Sequence, residues 1–461
     1  MAALILMYHS ISESDVDPWS ICVSPERFSR HMSLLRKVAQ PCSLGDLVAA
    51  HQKGRIPENA VAVTFDDGYS DNLTAAKPIL EQQNIPATVF ACSGQIGQRR
   101  DFWWDELQRA LLTPMQALPR RLQVGAGDMR FSWDFEDETG SSGDAGWGTM
   151  GARNPNALPR SAFLDVYHRI RTLPADELAS ATQQISAWSG NTSAAGPLRP
   201  VLDEDGLAAL TAGGLVDIGA HSVSHALLPA HPREMQMREI LGSKSQLEAI
   251  IEGPVDHFAF PYGEYDRTSL EIVRGAGFAS ACTNSGGTVT PESSLHELPR
   301  LAIEDWNGEQ FVWAIQNKLG VARCNDVGSQ MTIPLGVFKR QTGALIDGIV
   351  ECRPGEHVPG HCLYGGDFII SESGTYQAVL TMASGGATVD SDDVVFDVFE
   401  NKVTKTVFAE MQPDPATWRP SPPNNLILEF SAEPGYRIEF RVYWRGRSLL
   451  RLDEVRMERL S

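Results

Sequence analysis

The chain has 461 residues, with 39 Lys+Arg against 58 Asp+Glu for a formal net charge of −19, and it is 42% hydrophobic and 21% charged. At about 150 residues per domain this length predicts two or three domains, each able to bury a core, and the apolar content excludes disorder, collagen and coiled coil as the main state. The acidic balance argues against nucleic acid as a partner, because binding there needs Lys and Arg to displace counterions from phosphates.

The first element is the apolar run Leu4–Tyr8. No basic segment precedes it and no small-residue cleavage site follows, so it reads as a buried strand rather than a secretory signal. No uncharged apolar run approaches the ~18 residues of a membrane span. The expectation is a cytoplasmic chain without a membrane span. Cys22, Cys42, Cys92, Cys282, Cys324, Cys352 and Cys362 are scattered and lack C-x-x-C spacing, which predicts buried free thiols; Cys352 and Cys362 are close enough in sequence to pair across a hairpin in an oxidising compartment.

Residues 1–95 alternate strands with helices: Leu4–Tyr8, a helix over Pro25–Val38, a strand at Val61–Phe65, a helix around Leu73–Gln83 and a strand at Ala87–Ala91. That rhythm predicts parallel βα units. Residues 96–200 break it. Phe102-Trp103-Trp104-Asp105 opens a helix to about Leu112, a polar Gly-rich stretch covers Gly140–Asn156, and a helical segment runs from Ser161 to Trp188. An insertion of this length is expected to be a lid or binding loop.

The βα pattern resumes over residues 201–306. Strands are predicted at Val216–Gly219, Phe258–Pro261, Ser280–Thr283 and Leu298–Ala302, with helices at Glu234–Ile251 and Arg267–Ala276, and Trp306–Leu319 closes the series as a helix. A linker is placed at 320–330. From Met331 short alternating runs, such as Val394–Phe399, Leu426–Phe430 and Arg437–Tyr443, are separated by turn signals that include Gly365-Gly366 and Pro434-Gly435. This pattern predicts an all-β sandwich or jelly roll.

Three segments carry chemistry. In Thr64-Phe65-Asp66-Asp67-Gly68 two adjacent carboxylates end an apolar strand, and the glycine permits a tight turn. Carboxyl ends of parallel strands hold the sites of α/β folds, so one carboxylate can ligate a metal while the other stays free as a base. His221 and His225 also follow a strand; at i, i+4 they would share one face of a helical turn and one ion. Two His and one Asp leave open positions, as a catalytic metal requires. In Phe258-Ala259-Phe260-Pro261-Tyr262-Gly263 the Pro and Gly end a strand and expose backbone N–H for a developing oxyanion.

These motifs, in this order, resemble the polysaccharide deacetylase (NodB homology) family, carbohydrate esterase family 4. The resemblance covers about residues 1–310, with the Asp- and His-bearing motifs spread apart by the insertion. Met7-Tyr8-His9-Ser10 and Phe102-Trp103-Trp104 resemble a bacterial polysaccharide-modifying subgroup. The resemblance implies a distorted, incomplete (β/α) barrel, usually of seven strands, that removes acetyl groups from N-acetylated sugars. It implies Asp67, His221 and His225 as ligands of a divalent metal, usually zinc, with cobalt or nickel as alternatives. Asp66 would be the general base and the Tyr262 backbone N–H the oxyanion donor.

Two departures stand out. No late Leu-x-His is present to supply a general acid, which leaves His9, His296 or a proton shuttled by Asp66. The third motif reads Asp256-His257-Phe258 without Arg, so Arg300 is the candidate to hold Asp66 ionised. Beyond the barrel, Tyr364, Phe368, Tyr376, Trp418, Tyr436, Tyr443 and Trp444 suggest a carbohydrate-binding sandwich, with Trp418 the foremost surface candidate; Trp103, Trp104 and Trp147 are candidates for the substrate cleft. The leading expectation is a metal-dependent N-deacetylase acting on a carbohydrate polymer or lipid-linked glycan. The alternatives are a glycan-binding or assembly protein on a catalytically degenerate deacetylase scaffold, and a hydrolase of small amides.

Overall fold

The computed structural model describes residues 2–135, 154, 156–191 and 198–319, and beyond these 330–333, 335, 338, 344–346, 349–353, 359–369, 372–382, 393–400, 407–411, 424–434 and 436–461. Contacts divide the chain into two compact units, with the division at Gly308/Glu309. The linker expected at 320–330 lies almost wholly outside the described residues, as does most of the Gly140–Asn156 stretch.

In the first unit the elements run β1 (Leu4–Tyr8), α1 (Pro25–Val38), β2 (Gln40–Cys42), α2 (Leu44–Gln52), β3 (Ala60–Phe65), α3 (Lys77–Gln83), β4 (Ala87–Ala91), α4 (Trp103–Leu111), β5 (Arg121–Ala126), β6 (Met129–Asp134), α5 (Arg160–Ile170), α6 (Ala175–Trp188), α7 (Glu204–Thr211), β7 (Val216–Ala220), α8 (Arg233–Ile251), β8 (His257–Ala259), α9 (Arg267–Gly275), β9 (Ser280–Cys282) and β10 (Leu301–Ala302). The main sheet is parallel, in the order β10-β1-β3-β4-β7-β8-β9, with β2 beside β3. Strands β1 and β3 are apolar runs buried at every position, as strands covered on both faces must be. Helix α1 starts with Pro25 in its first turn and buries Phe28, Met32 and Leu35 along one face. Helix α9 opens with a capping box in which Asp266 and Ser269 satisfy each other's backbone N–H.

One short segment turns this sheet into a distorted barrel. Leu298 bridges Cys282 at the end of β9, while Leu301 and Ala302 pair with Leu6 and Met7 of β1. The strand expected at Leu298–Ala302 is thus a bridge followed by a two-residue strand, because its first half serves one edge of the sheet and its second half the other.

The insertion differs from expectation in two ways. The helical segment Ser161–Trp188 is two helices, α5 and α6, broken where Pro174 stands as the N-cap of α6; proline lacks the N–H that a continuing helix needs. Strands β5 and β6 form an antiparallel hairpin that the polar composition of 121–134 conceals.

The division falls in the first turn of α10 (Gly308–Leu319), a helix that starts two residues later than expected. Strands β11 (Gln330–Ile333), β12 (Ala344–Ile346), β13 (Ile349–Cys352), β14 (Gly360–Ile369), β15 (Gly374–Met382), β16 (Val394–Glu400), β17 (Val407–Met411), β18 (Asn424–Ala432), β19 (Arg437–Trp444) and β20 (Leu450–Arg459) follow. They form a six-stranded sheet, β12-β13-β20-β15-β18 with β11 on β20, and a four-stranded sheet, β14-β19-β16-β17, both antiparallel. Inward residues of both sheets, among them Leu380, Val398, Phe440 and Leu452, make one core. Gly365-Gly366, read from sequence as a turn, lies within β14 at a register shift, where a bulge tolerates glycine.

Tyr376 and Trp444 are core residues of this sandwich, not surface platforms. Tyr436 packs partly against the core, Tyr364 is half-buried and Tyr443 is exposed. Trp147, Trp418 and the Phe368 side chain lie outside what the structure describes. Cys22, Cys92, Cys282, Cys352 and Cys362 are buried free thiols and Cys42 is a half-buried one; Cys324 lies outside the described residues. Among the described residues no helix is long and apolar enough to cross a membrane.

Candidate active site

The three motifs meet at the carboxyl end of the barrel, and each carries a non-glycine residue in the left-handed region: Asp67 at φ 74°, His225 at φ 58° and Tyr262 at φ 60°. Such backbone costs roughly 1–3 kcal/mol per residue and persists only where surrounding contacts hold it, commonly at functional sites.

Strand β3 delivers the carboxylates. The Asp66 N–H donates to the Tyr8 carbonyl at 3.0 Å, and the Gly68 N–H to the Asp66 carbonyl at 2.9 Å, closing a tight turn. Gly68 sits at φ 84°, a conformation that favours glycine, and a Cβ there would crowd the Ala91 Cβ at 3.2 Å.

His221 follows β7 directly. His221 and His225 do not lie on a helical turn, as i, i+4 spacing suggested. The loop between them is irregular, with Ser222 at φ 62°. It is held from outside by Glu239 of α8, whose carboxylate accepts from the Val223 N–H at 3.0 Å, the Ser224 N–H at 2.8 Å and the Ser224 hydroxyl at 2.8 Å. The His225 N–H donates to the Ser222 Oγ at 2.9 Å.

Ligand atoms of Asp67, His221 and His225 lie within 4.8 Å of one another, and all three residues are buried. Asp67 Oδ1 is 3.7 Å from His221 Nε2 and 3.5 Å from His225 Nε2, and it has no hydrogen-bond partner. The His221 Nδ1–H donates to the Ala259 carbonyl at 2.8 Å, which leaves Nε2 as the free lone pair. Burial lowers the pKa of His221 and, with His221 beside it, of His225, so both rings are neutral, the form that ligates. Burial, with Asp66 and Asp105 nearby, raises the pKa of Asp67 well above the carboxylate range. The donor set fits a divalent cation, which would supply the positive charge that Asp67 lacks.

Asp66 stands opposite in character. Arg300 donates to it twice, Nη1 to Oδ1 at 2.6 Å and Nη2 to Oδ2 at 2.7 Å, and both side chains are buried. Burial alone would raise the Asp66 pKa, but the Arg300 guanidinium overrides it and holds the carboxyl well below its usual range. His9 follows β1 with Asp66, Arg300 and His221 in its field, and burial lowers its pKa to about 4. His296 is elsewhere, its Nε2 bonded to the Phe278 carbonyl at 2.9 Å. The Tyr262 ring stands edge-on to His225 at 4.4 Å, and Asn284 donates to the Tyr262 carbonyl at 3.0 Å.

Trp103 and Trp104, the expected cleft candidates, are buried, and Tyr69, Tyr167, Arg171 and Arg199 around them escaped the sequence reading. Trp104 lies 4.6 Å from the His225 ring and donates its indole N–H to the Tyr69 hydroxyl at 3.1 Å. Trp103 stacks on Tyr167 at 4.9 Å, and Arg171 lies over the Tyr262 ring at 5.7 Å. Asp105 and Arg199 form a buried ion pair. The signal for the first group was the Phe102–Asp105 run; nothing in sequence links it to Arg199.

Residues 53–117 and 177–281 match the family model described as polysaccharide deacetylase. The poly-beta-1,6-N-acetyl-D-glucosamine N-deacetylase of Escherichia coli strain K12 is 32% identical over 300 residues, covering 65% of this chain and 36% of that protein. The chain spans 36–37% of the length of the curated relatives it matches. Among solved structures, the deacetylase PplD of Streptococcus pyogenes aligns over 68% of this chain and 98% of its own, with 16% identity and a TM-score of 0.42. IcaB from Ammonifex degensii aligns over 68% and 97%, with 16% identity and a TM-score of 0.42.

Proposed function

We propose that this chain, whose N-terminal unit belongs to the polysaccharide deacetylase family, uses a divalent metal, zinc above all, to remove N-acetyl groups from an amino-sugar polymer. One observation carries the reading: two adjacent buried carboxylates have opposite electrostatic surroundings. Asp66 has its own cation in Arg300, whereas Asp67 turns an unpartnered oxygen toward two neutral imidazole nitrogens. Pairs of acids pushed apart in this way mark a division of labour, here base and metal ligand.

A bound metal supplies a Lewis acid for the acetamide carbonyl and a water of lowered pKa. Asp66, kept ionised by Arg300, takes the proton of the water whose oxygen attacks the carbonyl carbon. The Tyr262 backbone N–H donates to the oxygen that gains charge. The C–N bond then breaks, and the amine nitrogen must receive a proton. His9 is neutral near pH 7, which favours Asp66 as the group that returns it.

The likeness to an enzyme named for poly-beta-1,6-N-acetyl-D-glucosamine supports a polymer of N-acetylated glucosamine as substrate. We assign the barrel with its insertion to residues 1–320 and a glycan-holding sandwich to 331–461. His361, Tyr364 and Tyr443 on the outer side of the four-stranded sheet are the candidates for sugar contact, with the His361 and Tyr443 rings 5.2 Å apart. The second reading, a degenerate scaffold that only binds glycan, draws on the missing Leu-x-His motif. Metal content measured by mass spectrometry on the wild type and His221→Ala, followed by acetate release from N-acetylglucosamine oligomers, separates the two. One metal per chain, lost in the variant, with acetate released supports the enzyme. No metal after zinc soaking and no acetate overturns it.

A further inference from the structure

Tyr262 stands where a tight turn ordinarily takes glycine. The Gly263 N–H donates to the Phe260 carbonyl at 2.8 Å and closes the turn Phe260-Pro261-Tyr262-Gly263. Tyr262, at φ 60° and ψ 1°, matches the third position of a type II turn, which favours glycine or asparagine, and Pro261 suits the second. A tyrosine is strained there, so contacts from outside the turn must hold it.

The two peptide planes beside Tyr262 set its φ and ψ, and each is held at its carbonyl. The Pro261 carbonyl accepts from the Glu264 N–H at 3.1 Å. The Tyr262 N–H lies trans to that carbonyl and so points the opposite way; it has no acceptor among the described residues. The Tyr262 carbonyl accepts from Asn284 Nδ2 at 3.0 Å. Asn284 also fills the space beside Gly263, where a Cβ would overlap its Oδ1 and Cγ. Glycine at 263 thus admits the amide that holds the residue before it.

Asn284 is itself anchored. It follows β9, and the Phe260 N–H on the Cys282 carbonyl at 3.1 Å keeps the ends of β8 and β9 side by side. The Thr283 N–H donates to the Leu298 carbonyl at 2.8 Å, and Arg300 Nε donates to the Thr283 carbonyl at 3.1 Å. The guanidinium that grips Asp66 through its Nη groups therefore steadies, through Nε, the residue next to Asn284.

We propose that Asn284 is a positioning residue that holds the Tyr262 N–H in the orientation the developing oxyanion needs. The proposal rests on the deacetylase reading above, in which that N–H is the donor. Its effect falls on the transition state, because the acetamide oxygen gains its charge only as the carbonyl carbon becomes tetrahedral. An oxyanion donor is worth about 10²–10³ in kcat, and a displaced donor forfeits part of that.

The test is kcat and KM for acetate release from N-acetylglucosamine oligomers by the full chain, with metal content and thermal midpoint measured on the same samples. Asn284→Ala is expected to lower kcat about 10–100-fold, with KM, metal content and midpoint close to wild type. Asn284→Asp keeps the size but turns an acceptor toward the Tyr262 carbonyl, and its kcat is expected to fall at least as far. Ser285→Ala, which loses a hydroxyl bonded to Thr283 in the same loop, is expected to match wild type. If Asn284→Ala does not fold, Asn284→Asp decides. A kcat within twofold of wild type in the folded variant overturns the positioning role while leaving the deacetylase reading standing. A raised KM with unchanged kcat does the same, as does a loss of metal that accounts for the lost activity. Wild-type protein that releases no acetate overturns the deacetylase reading, and this proposal with it.

Discussion

Arg300 grips Asp66 through two parallel hydrogen bonds of 2.6 and 2.7 Å across 234 residues of sequence. The guanidinium rises inside the barrel: Leu301 pairs with Leu6, which pairs with Val63, three residues before Asp66. Arg300→Gln removes the charge that opposes burial, so the Asp66 pKa rises. The acid limb of the kcat/KM profile is expected to move to higher pH, and Arg300→Lys, lacking the planar fork, recovers only part of the shift. The pair also contributes stability. Because the folded pKa of Asp66 is depressed, that contribution is present above the unfolded value of about 3.9 and is lost as pH falls through the folded value. An unchanged acid limb in Arg300→Gln would remove the pairing from the chemistry.

Asp66→Asn keeps the shape of the proposed base and deletes its capacity to take a proton. Acetate release is expected to fall by about 10²–10⁴-fold, the usual worth of a positioned proton-transfer group. Metal content is expected to stay at the wild-type level, because Asp67, His221 and His225 are untouched. Loss of metal in this variant would mean that the roles of the two carboxylates are exchanged.

His9→Gln tests the source of the leaving-group proton. With Asp66 shuttling that proton, the variant is expected to lose less than about tenfold in kcat, well short of the 10²–10⁴ that removal of a general acid costs. A loss in that larger range, with disappearance of the basic limb of the pH profile, would give the acid role to His9.

Removing the metal is expected to destabilise the protein, since Asp67 then has no counter-cation in a buried site. At free zinc 100-fold above Kd the bound form gains about 2.7 kcal/mol. Thermal unfolding with and without chelator should show the difference in wild type and not in His221→Ala. Equal midpoints in both proteins would contradict a built metal site.

In the sandwich, two adjacent aromatics should behave oppositely. Trp444 is fully buried and donates its indole N–H to the Ser448 carbonyl at 2.8 Å, so Trp444→Ala is expected to cost about 3–5 kcal/mol in denaturant unfolding. Tyr443, on the other face of the strand, is expected to stay within about 0.5 kcal/mol as Tyr443→Ala while weakening glycan retention. Unaltered retention on immobilised N-acetylglucosamine polymer would remove the outer sheet face as a sugar platform.

Much of the fold is legible in sequence because its signals are local. The runs Leu4–Tyr8 and Ala60–Phe65 are apolar enough to be strands buried on both faces, and their alternation with helices implies a parallel sheet. The polar hairpin β5–β6 leaves little local signal, whereas the break at Pro174 is legible in sequence, because a proline within a helical pattern ends the helix before it.

The sequence by itself determined which residue types end which strands: Asp66-Asp67 after β3, His221 and His225 after β7, Tyr262 after β8. That was enough to gather a candidate metal site, because all parallel strands of one sheet bring their carboxyl ends to one side. Only the tertiary structure decided what surrounds those groups. Closure of the barrel through Leu298 and Leu301 brings Arg300 to Asp66, and the two roots of the insertion bring Trp104 against His225 and the Asp105–Arg199 pair to Tyr69. Charge and hydrogen-bond partners are set by distance in space, and no local pattern of residues encodes a contact whose two halves lie on separate strands and helices.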